Sequence, residues 1–423
     1  MKHLFRTVAT SAILAATLSA GTALAETKLK LVEVITSPAR TETLNALVSE
    51  YEANNPDVDV EIISLPWGEA FEKLSTMVAG GEIPDVVEMP DAWLALYAGN
   101  DMLLSLEDAI SGWEHGDTLA QKTLDMARLA EGEAYTLPYG FYLRAMFYNK
   151  KLLAEAGVEK PPHTMEEFME ASAKVSQLDG KYGYCLRGGG GGLNAWIMYA
   201  ATMNGSNEFF TEDGQSRINE PGSIEGIQFL VDMYQKEYAP YASVNWGFNE
   251  IVAGFYSGTC AFLDQDPDAL ISVAERMDPE DFAVTPMPVG PSGQAFPTIG
   301  FAGWSVFNST EHQNEAVALV QHLSSPEANL TWTKQVGVIP IHEGAEQDSH
   351  FATPQYKGWF DTLNGEEYIP TIMPVYLKKF GVFKELATAS SQEALLGQRS
   401  AEDLANEWAE FLTNEYQAWK ATQ

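Results

Sequence analysis

From Lys28 onward the chain alternates short runs of β-branched residues with longer amphipathic runs. The spacing predicts a strand over 30–35, a helix over 42–54, a strand over 58–65, a helix over 67–80 and a strand over 85–88. Strands alternating with helices of this length imply parallel strands covered by helices, with ligands held beyond the carboxyl ends of the strands. The loops after the strands are therefore the informative positions. Thr36, Ser37 and Arg40 follow the first strand, Trp67 the second, and Asp91 and Trp93 the third.

Further along, 135–153 (YTLPYGFYLRAMFYNKKLL) reads as an aromatic-rich strand passing into a helix near Asn149. Helices are predicted over 164–177, 221–237, 311–323, 326–335 and 401–421, with Pro-containing strands such as 282–289 between them. No internal repeat breaks the pattern. Its one low-complexity tract is Gly188 to Gly192.

The first residues follow a different rule. Lys2 and Arg6 precede a short, mainly apolar run from Val8 to Leu18, and Ala23-Leu24-Ala25 places small residues two apart before Glu26. This is the pattern of a secretory signal peptide over residues 1–25. A lipid anchor would need a cysteine just after the cleavage point, and the chain's two cysteines are Cys185 and Cys260. The remaining length is too great for one ordinary core and suits two domains.

The formal net charge is −34. A field of that sign argues against nucleic acid and anionic membranes as partners, and a solvated acidic surface is its simplest meaning. In an exported chain two cysteines either pair or stay as separate buried thiols. A Cys185–Cys260 bond would close a loop of about 75 residues, worth ~4 kcal/mol in the chain-entropy model. The seven histidines, at positions 3, 115, 163, 312, 322, 342 and 350, show no metal-ligand spacing. Neither a metal nor a cofactor is expected.

Three strings carry a resemblance: GGEIPDVVEMPDAWLALYA (80–98), LPYGFYLRAMFYNKKLLAEAGVEKPPHTMEEF (137–168) and NEIVAGFYSGTCAFL (249–263). The chain resembles the saccharide-binding, maltose-binding-protein-like class of extracellular solute-binding proteins of ABC importers, with some likeness to polyol-binding members. The resemblance implies an α/β fold of two lobes, each a mostly parallel sheet flanked by helices, joined by a hinge with the ligand cleft between them. It assigns 26–138 and 286–335 to the first lobe and 139–285 and 336–423 to the second. Crossings are expected near Pro138, near Pro286 and after Gln335. It further implies a monomer in the periplasm that takes up a small hydroxylated solute (a sugar, glycoside or polyol) and hands it to ABC permease subunits in the inner membrane.

A sugar presents hydroxyls and apolar faces, so its site needs carboxylates or amides together with flat aromatic rings. By the resemblance, Asp91 and Trp93 stand where members contact sugar. Tyr142 lies where maltose-binding protein, the best-known relative, places a glutamate, and keeps the ability to stack. Asp264 and Asp266, in FLDQDPD, follow a strand that in the family ends at the ligand; they also read as caps of the helix after Pro267. Gly303 and Trp304, in IGFAGWSVF, offer close backbone approach and an aromatic face. The glycine run, with Arg187, Gly191, Asn194 and Trp196, is either a flexible cleft edge or an amide-lined turn at a helix start, where an anionic substituent would bind. Trp246 is a weaker contact.

The rival class is a secreted glycosidase, in which Asp91 and Asp264 flank a glycosidic bond. Neither a G-x-S-x-G elbow nor a phosphate-loop lysine beside the glycines supports catalysis. A purely adhesive surface protein is disfavoured by the lack of repeats.

Overall fold

The structure is a computed structural model and describes residues 27–130 and 132–422. The expected signal peptide, residues 1–25, lies outside the described residues. Nine strands are named here: β1 (Thr27–Glu33), β2 (Val58–Ser64), β3 (Val86–Pro90), β4 (Leu137–Leu143), β5 (Ala145–Asn149), β6 (Tyr182–Tyr184), β7 (Cys260–Gln265), β8 (Phe282–Thr285) and β9 (Ile299–Val306). They form two sheets, in the orders β2-β1-β3-β9-β4 and β6-β7-β5-β8, one in each lobe.

The opening β-α-β-α-β is built as its periodicity implies. β1 pairs in parallel with β2 and β3, joined through helices Pro38–Asn54 and Trp67–Ala79. The first helix starts four residues earlier than its apolar period suggests, because Ser37 caps it by accepting from the Arg40 amide and Pro38 sits where its missing N–H costs nothing. All five residues of β3 are buried, as in a central strand covered on both faces.

Beyond this unit the expected mostly parallel sheets are mixed. β9 runs antiparallel between β3 and β4, and β5 runs antiparallel to both β7 and β8. Each sheet is thus completed by strands of the crossing chain, which travel in opposite senses. The first crossing is a single residue: Arg144 separates β4 in one sheet from β5 in the other. Pro138, where the crossing was expected, lies inside β4. The return crossing occupies 286–298, and Arg144 N donates to Thr298 O across the two crossing segments at 3.0 Å. After helix Pro326–Val336 the chain still pairs with the first lobe, through Ile339 with Phe141 and Glu343 with Thr118.

In the second lobe helix Leu193–Asn204 packs on helix Pro221–Gln235, and helix Ala401–Lys420 joins them. Helix Lys357–Asn364 covers β8 and β5. Asn149 caps the short helix after β5, and Thr164 with Glu167 forms a reciprocal cap on helix Met165–Val175. Cys185 and Cys260 form a disulfide, with Cα atoms 5.4 Å apart, joining the segment after β6 to the start of β7. Among the described residues no helix is long and apolar enough to cross a membrane.

Candidate functional site: the cleft between the sheets

The pairings orient both sheets toward one place. β1 to β4 run the same way, so their carboxyl ends, together with the start of β9, lie on one side. Opposite them lie the carboxyl ends of β6, β7 and β8 and the start of β5. Arg144 joins the two at the base. The loops beyond these ends line the cleft.

On the first-lobe side an aromatic platform stands after β2 and β3. Trp67 is 43 % exposed and stacks on Trp93, with ring centroids 5.5 Å apart and planes 13° from parallel. Phe71, one turn along the same helix, tilts onto Trp93 at 5.3 Å. Trp93 itself is buried beneath both, so Trp67 and Phe71 offer the open faces. Asp91 opens helix Asp91–Ala98 and accepts from the Phe301 amide at 3.3 Å. Gly300 makes room for it, since a Cβ there would lie 2.7 Å from the Asp91 carboxylate. Burial raises the Asp91 carboxyl, and Lys384 of the second lobe and the Phe301 and Ala92 amides partly offset that.

Arg40 is buried and engaged within the first lobe. Its Nη2 donates to Glu88 and to the Tyr139 hydroxyl, each at 2.8 Å, and its Nε donates to Ile35 O. Glu88 also accepts from the Val34 and Ile35 amides and from the Tyr139 hydroxyl. Arg40 therefore fastens the loop after β1 instead of facing the cleft, which corrects its expected ligand role. Tyr142 is half-buried at the end of β4, its hydroxyl 3.1 Å from that of Tyr139; burial above all pushes its phenol up to about 12. Thr36 and Ser37 stay accessible in the same loop.

The second-lobe side is ionic. Arg144 is buried, donates to Asp264 O at 2.9 Å, and lies 3.5 Å from the Asp264 carboxylate and 3.4 Å from that of Asp266. Burial alone would lower its proton affinity, but Asp266, Asp264 and Asp268 together raise it. Asp264 is also buried and accepts from the Tyr184 hydroxyl, so it serves as a support for Arg144 and has no face to offer a ligand. Asp266 reaches nearer the surface. The helix-cap alternative for this pair does not apply, since helix Asp268–Ala274 has no side-chain cap. Asp268 has one carboxylate oxygen buried without a hydrogen bond. Burial, with Asp266 beside it, pushes its carboxyl up to about 7 against the pull of Arg144.

The glycine run is an ordered turn. Gly188 and Gly189 donate to Ser243 O and Trp246 O, packing the run against the segment that carries Trp246. Gly191 has φ +86°, a conformation that suits glycine, and the Arg187 guanidinium lies over it. Asn194 is half-buried in the first turn of helix Leu193–Asn204.

Three expected contacts lie elsewhere. Trp304 is 1 % exposed, packed against Tyr139 and Trp332 in the first-lobe core. Gly303 is in mid-sheet, opposite Met89 and Pro138. β9 runs antiparallel to β3 and β4 and meets the cleft at its start, which leaves both residues inside the sheet. Trp196 is buried against Trp408. The sequence reading missed Arg144, Phe71, Asp268 and Lys384. Arg144 did leave a signal, as a lone charge in the apolar run YGFYLRAMFY.

The lobes also touch along one rim. Helix Phe380–Leu395 packs near helix Asp91–Ala98, and Lys378 Nζ donates to Gly99 O at 3.0 Å. Among the described residues no group of three or more His, Cys, Asp or Glu side chains is arranged to hold a metal ion.

Comparison with known proteins gives a consistent result. The family described as "Bacterial extracellular solute-binding protein" matches residues 37–330. A putative binding protein of Brucella abortus is 23 % identical over 325 residues, covering 76 % of this chain and 78 % of its own. The GacH receptor of Streptomyces glaucescens, solved unliganded and in complex with acarbose, superposes with a TM-score of 0.80 at 21 % identity, over 93 % of this chain and 99 % of that one. Maltose-bound MalE3 of T. maritima gives 0.80 at 22 % identity, over 91 % and 99 %.

Proposed function

This chain belongs to the bacterial extracellular solute-binding proteins, and from that premise we propose that it captures a saccharide, glycoside or polyol between its lobes and delivers it to an ABC permease. It works in the periplasm as a monomer, freed of its signal peptide, and catalyses no reaction. The observation that carries the reading is the exposed Trp67–Phe71 platform beside the Asp91 carboxylate, at the point where Lys384 and Asp266 of the other lobe come close enough to shift Asp91. Flat rings take the apolar face of a sugar, and a carboxylate takes its hydroxyls. Thr36, Ser37, Tyr142, Asn194, Asp266 and Trp246 would complete the contacts. The similar proteins solved with acarbose and with maltose support the solute class.

The glycosidase alternative needs Asp264 as an acid, base or nucleophile. Its burial against Arg144 and Tyr184 leaves it no access to a scissile bond. Closure of the lobes on the solute is the conformational step such a receptor uses. The test is a thermal-shift panel of sugars, glycosides and polyols on the purified protein, with solution scattering on each hit. A rise in melting temperature with compaction is expected. Shifts produced by peptides and by no member of the panel would overturn the solute class.

A further inference from the structure

Of four cations at the cleft, two are matched by carboxylates in ion pairs and two are not. Arg40 is met by Glu88, and Arg144 by Asp264 and Asp266. Arg187 and Lys384 form no ion pair among the described residues. Among the described residues Arg187 donates only through Nε, to Gly190 O at 2.7 Å, and neither Nη makes a hydrogen bond. Its guanidinium is nonetheless held in place, over the Phe248 ring at 5.9 Å and against Gly191, where a Cβ would lie 2.2 Å from Nη2. The Gly190 and Gly191 amides, next to it, also donate to no protein acceptor among the described residues.

Lys384 extends from helix Phe380–Leu395 and makes no hydrogen bond or ion pair among the described residues; the charges it feels most are Asp91 across the cleft and Arg187 beside it. Burial lowers both cations, Arg187 to about 10, and each has another cation for a neighbour, Arg144 for Arg187 and Arg187 for Lys384. The carboxylates nearby do not cancel this positive pair. Asp264 and Asp266 are engaged by Arg144, Asp91 is held by backbone amides, and Asp268 carries a proton through much of the range below neutrality. Two half-buried cations that repel one another are stabilised by an anion placed between them.

We propose that Arg187 and Lys384, with the Gly190 and Gly191 amides, form a subsite for an oxyanion carried by the solute, a carboxylate or a phosphate ester, so that the preferred ligand is an acidic saccharide or polyol. This rests on the cleft being the solute site. The guanidinium fork suits two oxygens of such a group, and the ammonium supplies a point charge. Trp67, Phe71 and Asp91 then hold the neutral remainder of the ligand.

The experiment is calorimetric titration of the purified protein with glucuronate, galacturonate and glucose 6-phosphate, each against glucose or galactose, at low and high salt. At least one acidic ligand should bind about tenfold or more tightly than its neutral counterpart. That advantage should shrink as salt rises. The uronate and phosphate arms distinguish the two oxyanion sources. Arg187→Gln and Lys384→Met should each remove the acid's advantage while leaving neutral-sugar affinity within about threefold, and Lys384→Arg should restore it. Neutral sugars binding as tightly as acidic ones, or variants that weaken both series equally, would overturn this proposal alone. Failure of both series to bind the folded protein would overturn the solute reading beneath it.

Discussion

Both lobes bury an arginine at the cleft, and they satisfy it in opposite ways. In the first lobe Arg40 meets one carboxylate, and Glu88 in turn accepts from two backbone amides and a phenol. In the second lobe Arg144 faces Asp264, Asp266 and Asp268 at once, and its Nε is left without a hydrogen bond. A matched, hydrogen-bonded pair makes a rigid support for the loop after β1. An overloaded cluster leaves carboxyls raised above their ordinary range, Asp268 to about 7, and cations that remain available. The first lobe is thus suited to recognise the shape of a ligand and the second its charge.

The severest way to break this comparison is Arg144→Met. Removing the cation that acts most strongly on Asp264 and Asp266 should cost ~3–5 kcal/mol in urea unfolding, with part of the loss regained at lower pH as the carboxyls take up protons. A cost under ~1 kcal/mol would mean that the cluster is solvated like a surface pair. Next comes a contrast between two tryptophans. Trp304→Ala empties a packed core position and should cost ~3–5 kcal/mol of stability. Trp67→Ala, at an open face, should leave stability nearly unchanged but weaken solute binding about tenfold, ~1.4 kcal/mol. Equal effects of the two on binding would return Trp304 to the site.

The smallest effect is expected from Asp268→Asn. The folded carboxyl of Asp268, near 7, lies above that of an unfolded aspartate, so the folded chain binds the extra proton between the two values. Stability from this group is therefore greatest at low pH and declines as pH rises from about 4 to about 7. Asp91, Asp264 and Asp266 are raised too and act in the same sense. Melting temperatures at pH 5 and pH 8 should show the asparagine variant gaining more on the parent at pH 8 than at pH 5. A gain of equal size at both values would argue against the titration.

What could be read from the residues follows from what periodicity encodes. The helices at 38–54 and 67–79 and the strands between them repeat at 3.6 and 2, and both periods are local properties. Strand direction is not local. IGFAGWSV reads equally well in either sense, and only its antiparallel pairing shows that Gly303 and Trp304 lie in mid-sheet. Helix 193–204 is apolar on nearly every face, so no period marked Trp196 as core. The Cys185–Cys260 pairing was one of two open readings until the strands that carry the cysteines were set side by side. Asp91 and Trp67 were legible because they directly follow parallel strands. Lys384 was not, since only tertiary packing brings helix 380–395 beside Asp91.

The position of β9 also governs the order in which the molecule can be finished. A chain emerging from its amino end makes β1 to β4 first, yet β4 has no partner in its sheet until β9 arrives, after every strand of the other lobe. Until then β3, whose five residues are all buried in the finished fold, is an open edge able to pair with another chain. Closing it requires contacts more than two hundred residues apart, and contacts of such long range form slowly. The sheet that is begun first is the last to be completed, and its waiting edge is where a nascent chain is most vulnerable to aggregation.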